Sequence, residues 1–259
     1  MHDFITKIKT IIPKQYKRPY KKYKEERFYK GDNVICPICQ SKYRLFAIFY
    51  LSNSNSRCIN CDSLERHRLL WLYLNEKTNF FNRNNIRLLH FAPEEVFYDI
   101  FSSNKNIEYF PCDLTPKHYK YKRTTKIIKA DMTNLQFDNN YFDVILCNHV
   151  LEHIPDDFKA MSELNRVLKE DGWGIFQVPI NYKLEKTYED FSITTKKERA
   201  KAFGQHNHVR WYGKDYKERL FNAGFHVNED SYIKEFSSND TFKYGLTPNE
   251  LVYFCTKKK

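Results

Sequence analysis

Phe142–Ile180, FDVILCNHVLEHIPDDFKAMSELNRVLKEDGWGIFQVPI, decides how this 259-residue chain is read. It opens on a short, mostly apolar run, Phe142 to Cys147 with Asp143 its one polar residue, too short for a helix and suited to a strand buried on both faces. Asp156 or Asp157 then offers an oxygen to cap a helix, and Phe158, Met161, Leu164 and Leu168 recur at the spacing of one helical face. Gly172 stands where that helix should end, and Trp173 to Val178 is a second apolar run. Strand, helix and strand in immediate succession predict two parallel strands joined by a crossover.

The same alternation continues in both directions. Upstream lie Arg87 to Ala92 (RLLHFA), Glu108 to Pro111 and Lys126 to Ala130 (KIIKA); downstream come a helix at Tyr216 to Phe221 closed by Gly224, and strands near Phe225 to Val227 and Leu251 to Cys255. The pattern predicts an α/β, Rossmann-like fold, its mostly parallel sheet covered by helices on both faces. Ligands in such sheets bind beyond the carboxyl ends of the strands. The residues there are Pro93, Glu94 and Glu95 after the first run, Asp113 after the second, Asp131 after the third, and Asn148 and His149 after the fourth. Asp113 follows Pro93 by 20 residues, the spacing at which a carboxylate accepts both ribose hydroxyls of a nucleoside cofactor.

On these residues, and on the stretch quoted above, the chain resembles the class I S-adenosylmethionine-dependent methyltransferases over about residues 85–256. Phe142–Ile180 looks like the fourth strand, helix and fifth strand of the ubiquinone-biosynthesis type. The resemblance implies S-adenosylmethionine as cofactor, with Asp113 on its ribose, Asp131 and Met132 on its adenine, and Asn148 and His149 beside its methionine part. Such proteins usually carry a glycine-rich loop after the first strand, whereas here the segment is HFAPEE. This cofactor has no pyrophosphate for a backbone to approach, Ala92 is small and Pro93 presets the turn, so binding is still expected, with Glu94 facing the cationic half of the ligand.

Methyl transfer from a sulfonium releases a neutral thioether and needs no general acid, but a hydroxyl acceptor needs a base, most often histidine. The catalytic candidates are His208, His149 and His153. Residues 180–212 form a long excursion after the fifth strand, a length that usually carries function, and hold Glu189, Asp190, Arg199, His206 and Arg210 as candidate substrate contacts. In an extended run His206, His208 and Arg210 would share one face. Such a loop suits the hydroxyls of a sugar, glycan or other polar small molecule; the same charges could instead form a salt-bridge cluster that fixes the loop. His149-Val-Leu-Glu152-His153 also matches the HxxEH pattern of inverted zinc peptidases, but it begins where a strand ends and Pro155 follows, a context unlike the helix that pattern needs.

Cys36 and Cys39 (CPIC) and Cys58 and Cys61 (CINC) are two CxxC pairs with 18 residues between them, the spacing of a closed, structural zinc site. With strand-forming Tyr43 to Leu51 between the pairs, residues 31–62 resemble a zinc ribbon; ligand type alone would also admit iron. Cys112, Cys147 and Cys255 stand singly in apolar surroundings, as buried small hydrophobes do. Asp62 and Glu65 form a capping-box pattern before the helix-forming Leu64 to Leu74, so the ribbon leads directly into a helix with no Pro/Gly/Ser linker between. The expected organisation is a basic arm at 1–30, the ribbon at 31–62 and a methyltransferase domain at 63–259.

Residues 1–30 carry a net +7 and the last three residues +3, leaving +1 for the 226 between. The basic excess is confined to the tails, so nucleic acid is admitted as a partner without being favoured. RNA methylation is therefore one alternative function, and a non-catalytic adaptor on the same fold is another. No apolar run approaches the ~20 residues of a membrane span, and the first twelve residues are too broken by Lys and Thr for a secretory signal, so an intracellular, cytoplasmic protein is expected.

Overall fold

The computed structural model describes residues 22–49, 54–119 and 125–258. Most of the basic arm, and Tyr50 and Leu51 of the strand-forming run, lie outside the described residues. The chain separates into two compact units, Met1–Thr78 with Tyr232–Glu250, and Asn79–Ser231 with Leu251–Lys259. The boundary expected at 62/63 thus falls inside the first unit.

That unit holds two short antiparallel pairs, β1 (Val34–Ile35) with β2 (Lys42–Tyr43) and β3 (Ala47–Phe49) with β4 (Ser54–Arg57), followed by helix α1 (Glu65–Glu76). The capping box expected at Asp62 and Glu65 does not form. Asp62 adopts a left-handed φ of 57° and pairs with Arg57 at 2.6 Å, and the helix is capped instead from Leu64, whose N–H donates to His67 Nδ1 at 3.2 Å. Arg68 of α1 explains why residues 232–250 belong here. Fully buried over the Phe46 ring, it donates to the carbonyls of Ser56 and Ser63 and to those of Tyr244 and Gly245, which end the helix Ser238–Tyr244. One guanidinium therefore satisfies carbonyls from three segments, and no sequence pattern announces such a tie.

The second unit is the expected α/β body. Its strands are β5 (Ile86–Phe91), β6 (Ile107–Asp113), β7 (Ile128–Lys129), β8 (Phe142–Asn148), β9 (Leu168–Gln177), β12 (Phe225–Asp230) and β13 (Val252–Lys257). A two-stranded pair, β10 (Tyr188–Glu189) with β11 (Arg210–Trp211), lies between β9 and β12 in sequence. Among the described residues the large sheet has seven strands in the order β12-β13-β9-β8-β5-β6-β7, parallel from β9 to β7 and antiparallel at β13 and β12. Successive strands run outward from β5 to β7 and then return to β8, so the order reverses between β5 and β8. That is where an open α/β sheet leaves a crevice for a ligand.

Every residue of β8 is buried, Asp143 and Asn148 included, as befits a central strand of a sheet covered on both faces. Helix α2 (Glu95–Ser103) follows β5, α3 (Asp157–Val167) precedes β9, and α4 (Lys196–Phe203) and α5 (Tyr216–Asn222) come later. Asp156 caps α3 through Lys159 N–H at 2.9 Å, and the face buried in the core is Ala160, Met161, Leu164 and Val167. Phe158 is not on that face, being 53% exposed, and Leu168 already begins β9; the buried stripe starts two residues later than the spacing suggested. Cys112, Cys147 and Cys255 are fully buried, and burial pushes their thiols up, Cys112 to about 12. No helix among the described residues is long and apolar enough to cross a membrane.

Candidate active site

At the reversal point the tips of β5 and β8 are joined by one carboxylate. Ala92, directly after β5, takes a left-handed φ of 47° and donates its N–H to Cys112 O at 2.9 Å; buried Pro93 then turns the chain into α2. Glu94 is thereby brought back over the tip. Its Oε2 lies 2.9 Å from His90 Nε2 and its Oε1 accepts from Asn148 Nδ2 at 3.3 Å. His90, fully buried in β5, has its other nitrogen 3.0 Å from the Tyr109 hydroxyl. Asn148 is also buried, and its Oδ1 has no hydrogen-bond partner. A buried acceptor with nothing to accept from, beside a carboxylate, is what a cationic, N–H-bearing ligand would complete.

Asp113 ends β6 and Asp131 lies two residues past the end of neighbouring β7; the N–H of Ala130 donates to Asp113 O at 3.0 Å and ties the backbones of the two strand ends together. Both orient their own loops. Asp113 accepts from Thr115 N–H at 2.6 Å and the Tyr119 hydroxyl at 2.7 Å, and Asp131 from Thr133 N–H at 2.9 Å and its hydroxyl at 2.8 Å. Each oxygen has two lone pairs, so these bonds leave acceptor capacity. Met132, in contrast, is 4% exposed and packs in the core.

The three candidate catalytic histidines converge on a residue the sequence reading had placed only in the peptidase pattern, Glu152. His149 follows β8 with a left-handed φ of 55°, its N–H held by Gln177 O at 2.7 Å, and a 3-10 turn, Leu151–His153, comes next. The Glu152 carboxylate, 1% exposed, has His149 Nδ1 at 3.4 Å and the Nε2 atoms of His153 and His208 each at 4.0 Å. Backbone pairing fixes His208 here, for Val209 N–H donates to Glu152 O at 3.0 Å. Burial pushes the Glu152 carboxyl up, but the surrounding histidines more than offset it and hold it below the ordinary range. Burial likewise lowers His208, against the opposing pull of Glu152. The signal for this group was the HxxEH spacing itself, since a turn rather than a helix brings its ends together.

The candidate substrate contacts behave differently. Arg210 is 1% exposed; it donates to the carbonyls of Leu151, Ile154 and Pro155 and to Glu189 Oε2 at 2.9 Å, and lies 3.6 Å from Asp157. Glu189 also reaches Arg219 at 3.4 Å, which pairs with buried Asp157 at 2.7 Å. Asp190 caps its own turn through Ser192, and Arg199 donates to Ile193 O at 3.1 Å. These bonds fix the loop and leave Arg210 no surface for a ligand, which is the salt-bridge alternative weighed for this loop. His206 is exposed and does not share a face with His208, because Gly204 ends α4 in a left-handed turn and the chain is not extended there. Asp157, Arg219 and His90 were missed; His90 and Glu94 are four apart, a spacing read as strand and turn rather than as a pair.

In the first unit the four cysteine sulfurs cluster, with Cys36 and Cys61 Sγ 3.7 Å apart and Cys39 and Cys58 Sγ 3.6 Å apart. A tetrahedron with metal–sulfur bonds of about 2.3 Å has edges of about 3.8 Å, so the cage is compatible with a zinc ion. A separate, largely apolar cavity of about 670 Å³ in this unit, lined by Val34, Phe46 and Phe242 among others, contains none of the strand-tip residues.

Comparison with known proteins bears on the family and the fold. Residues 94–176 match the family described as Methyltransferase domain, and the likeness of this segment to the class I S-adenosylmethionine-dependent methyltransferases therefore holds. Among curated relatives, an uncharacterized protein of Methanocaldococcus jannaschii is 36% identical over 86 residues, 32% of this chain and 38% of that one. A ubiquinone/menaquinone biosynthesis C-methyltransferase of Francisella tularensis is 35% identical over 69 residues, 26% of this chain and 28% of its own length. The chain thus spans well under half the length of these relatives. Among solved structures, the [4+2]-cyclase SpnF superposes with a TM-score of 0.50 at 14% identity, covering 74% of this chain and 81% of that one, a likeness of fold alone.

Proposed function

We propose that the protein is an S-adenosylmethionine-dependent methyltransferase acting on a hydroxyl of a sugar, glycan or other polar small molecule, with a structural zinc ion in its cysteine module. The observation that carries the reading is that the Glu94–Asn148 pair and the first residue of the histidine-lined Glu152 pocket, His149, are successive at the carboxyl end of β8, beside the β5/β8 reversal.

The bound cofactor would supply an electrophilic methyl group. Asp113 would accept the ribose hydroxyls, Asp131 would lie at the adenine, and Glu94 with the unpartnered Asn148 Oδ1 would face the cationic methionine part. Met132 would contribute from the core side through its backbone, its side chain being buried. Ala92 and Pro93 set the turn that brings Glu94 into place. His149, His153 and His208 would supply the proton acceptor for the hydroxyl; burial lowers the His208 pKa, against the opposing pull of Glu152. Glu189, Asp190, Arg199 and Arg210 hold the covering loop in position; His206, exposed on that loop, stays a candidate acceptor contact.

Zinc would be held by Cys36, Cys39, Cys58 and Cys61. Four thiolates around Zn²⁺ would carry a net negative charge, and buried Arg68, whose pKa burial lowers against the opposing pull of Cys36, Glu65, Cys58 and Cys61, would serve as its counterion.

Incubation with methyl-labelled S-adenosylmethionine and fractionated extract tests the reading; label should appear in a polar small-molecule or glycan fraction. Single His149→Ala and His208→Ala variants should each lower turnover by about 10²-fold or more, the contribution of a positioned base. Label in RNA alone, or full turnover in both variants, would contradict it.

A further inference from the structure

The Glu152 pocket holds more acceptors than donors. His153 Nδ1 is 3.1 Å from Asn207 O, and His208 Nδ1 is 3.1 Å from Phe203 O. A carbonyl oxygen can only accept, so in each neutral ring the hydrogen is assigned to Nδ1 and Nε2 carries a bare lone pair. Both Nε2 atoms lie 4.0 Å from Glu152 Oε1, and the rings pack edge to face with centroids 4.8 Å apart. The remaining oxygen, Glu152 Oε2, is buried with no hydrogen-bond partner. Two nitrogen lone pairs and a desolvated carboxylate at this range repel unless a cation lies between them; the nearer ring nitrogen, His149 Nδ1 at 3.4 Å, approaches the same Oε1 and leaves Oε2 without a donor. His208 is 7% exposed, which disfavours meeting that need with an imidazolium.

From this convergence we propose that Glu152, His153 and His208 form a divalent-metal site, distinct from the cysteine cage. One ligand atom from each lies within 4.8 Å of the others. Metal–ligand bonds of about 2.0–2.2 Å place neighbouring donors about 3–3.5 Å apart, so side-chain shifts below about 1 Å close the site. Two imidazoles and a carboxylate suit zinc, manganese, cobalt or nickel. The carbonyls on both Nδ1 atoms are the outer partners that fix a ligating histidine's tautomer and orientation. The set differs from the peptidase pattern: Glu152 is a ligand rather than the residue that activates water, and His208 comes from 55 residues downstream.

Three protein ligands leave coordination positions open, and an oxygen-bearing acceptor, such as a vicinal diol or hydroxycarboxylate, would fill them. This part of the inference rests on the methyl-transfer reading. It reassigns His153 and His208 from proton acceptors to ligands and leaves His149, which is 30% exposed and 3.4 Å from Glu152, as the base.

The test uses the full chain with its cysteine site loaded with zinc first. Titration with CoCl₂ alone, followed by visible absorption and calorimetry, should show one further equivalent whose spectrum lacks thiolate-to-metal charge transfer. Glu152→Gln, His153→Asn and His208→Asn should each weaken it by about 10- to 100-fold while circular dichroism shows an unchanged fold. No second equivalent, or affinity unchanged in those variants that fold, overturns the site. S-adenosylmethionine binding measured on the same samples separates the two ideas: cofactor bound without the second ion removes only the metal site, and ion bound without cofactor removes only the methyl-transfer reading.

Discussion

Ala92 shows how a departure from a family pattern is absorbed at the level of one residue. The backbone there needs φ of 47°, a conformation that costs a residue with a Cβ about 1 kcal/mol or more and glycine almost nothing. The glycine-poor segment HFAPEE therefore keeps the left-handed turn of a glycine loop. Ala92→Gly should raise stability by about 0.5–1 kcal/mol in denaturant unfolding, the relief being partly offset by the greater freedom of glycine in the unfolded chain. A loss of stability would show that the alanine methyl contributes packing that outweighs the strain. His149 takes a similar φ of 55°, but there the side chain is needed at Glu152, so the strain serves the site.

The elements of the α/β body were legible because their signals are local. Short, mostly apolar runs gave β5, β8 and the second half of β9, and capping with periodic apolar positions gave α3. The side-chain ties were not legible, since they join residues far apart in sequence. Asp143, at the start of β8, is a further case: its carboxylate takes Lys169 Nζ at 2.8 Å, Arg87 N–H at 2.9 Å and Arg83 at 3.4 Å, linking β8 to β5 and β9. Burial pushes this carboxyl up, yet these partners more than offset it and hold it below its ordinary value. The stability it contributes is present above the unfolded carboxyl pKa of about 3.9 and is lost as pH falls through the lower folded value. Asp143→Asn should cost about 1.5–3 kcal/mol at pH 7, with the gap to wild type closing below about pH 4. A gap independent of pH would assign the loss to packing instead. The candidate site divides in the same way: strand-tip residues could be read from spacing, whereas the burial of Arg210 and the pairing of Asp157 with Arg219 depend on how the loop folds back.

For the whole molecule, a cage with sulfur separations of 3.6 and 3.7 Å predicts one tightly held zinc per chain, and structural zinc contributes directly to folding. Native mass spectrometry should find that ion in the wild type and not in Cys58→Ser, and chelation should lower the melting temperature of the wild type by several degrees. A metal-free protein with unchanged melting would contradict the assignment. The central claim concerns the other unit: strand tips at the β5/β8 reversal form a seat for an adenosyl sulfonium. Its most direct test is calorimetric titration of S-adenosylmethionine into the zinc-loaded protein. The account predicts one molecule bound per chain, with affinity about 10- to 100-fold weaker in Asp113→Ala, the loss of hydrogen bonds to a charged group. No heat of binding from folded wild-type protein, or equal affinity in the variant, would contradict it.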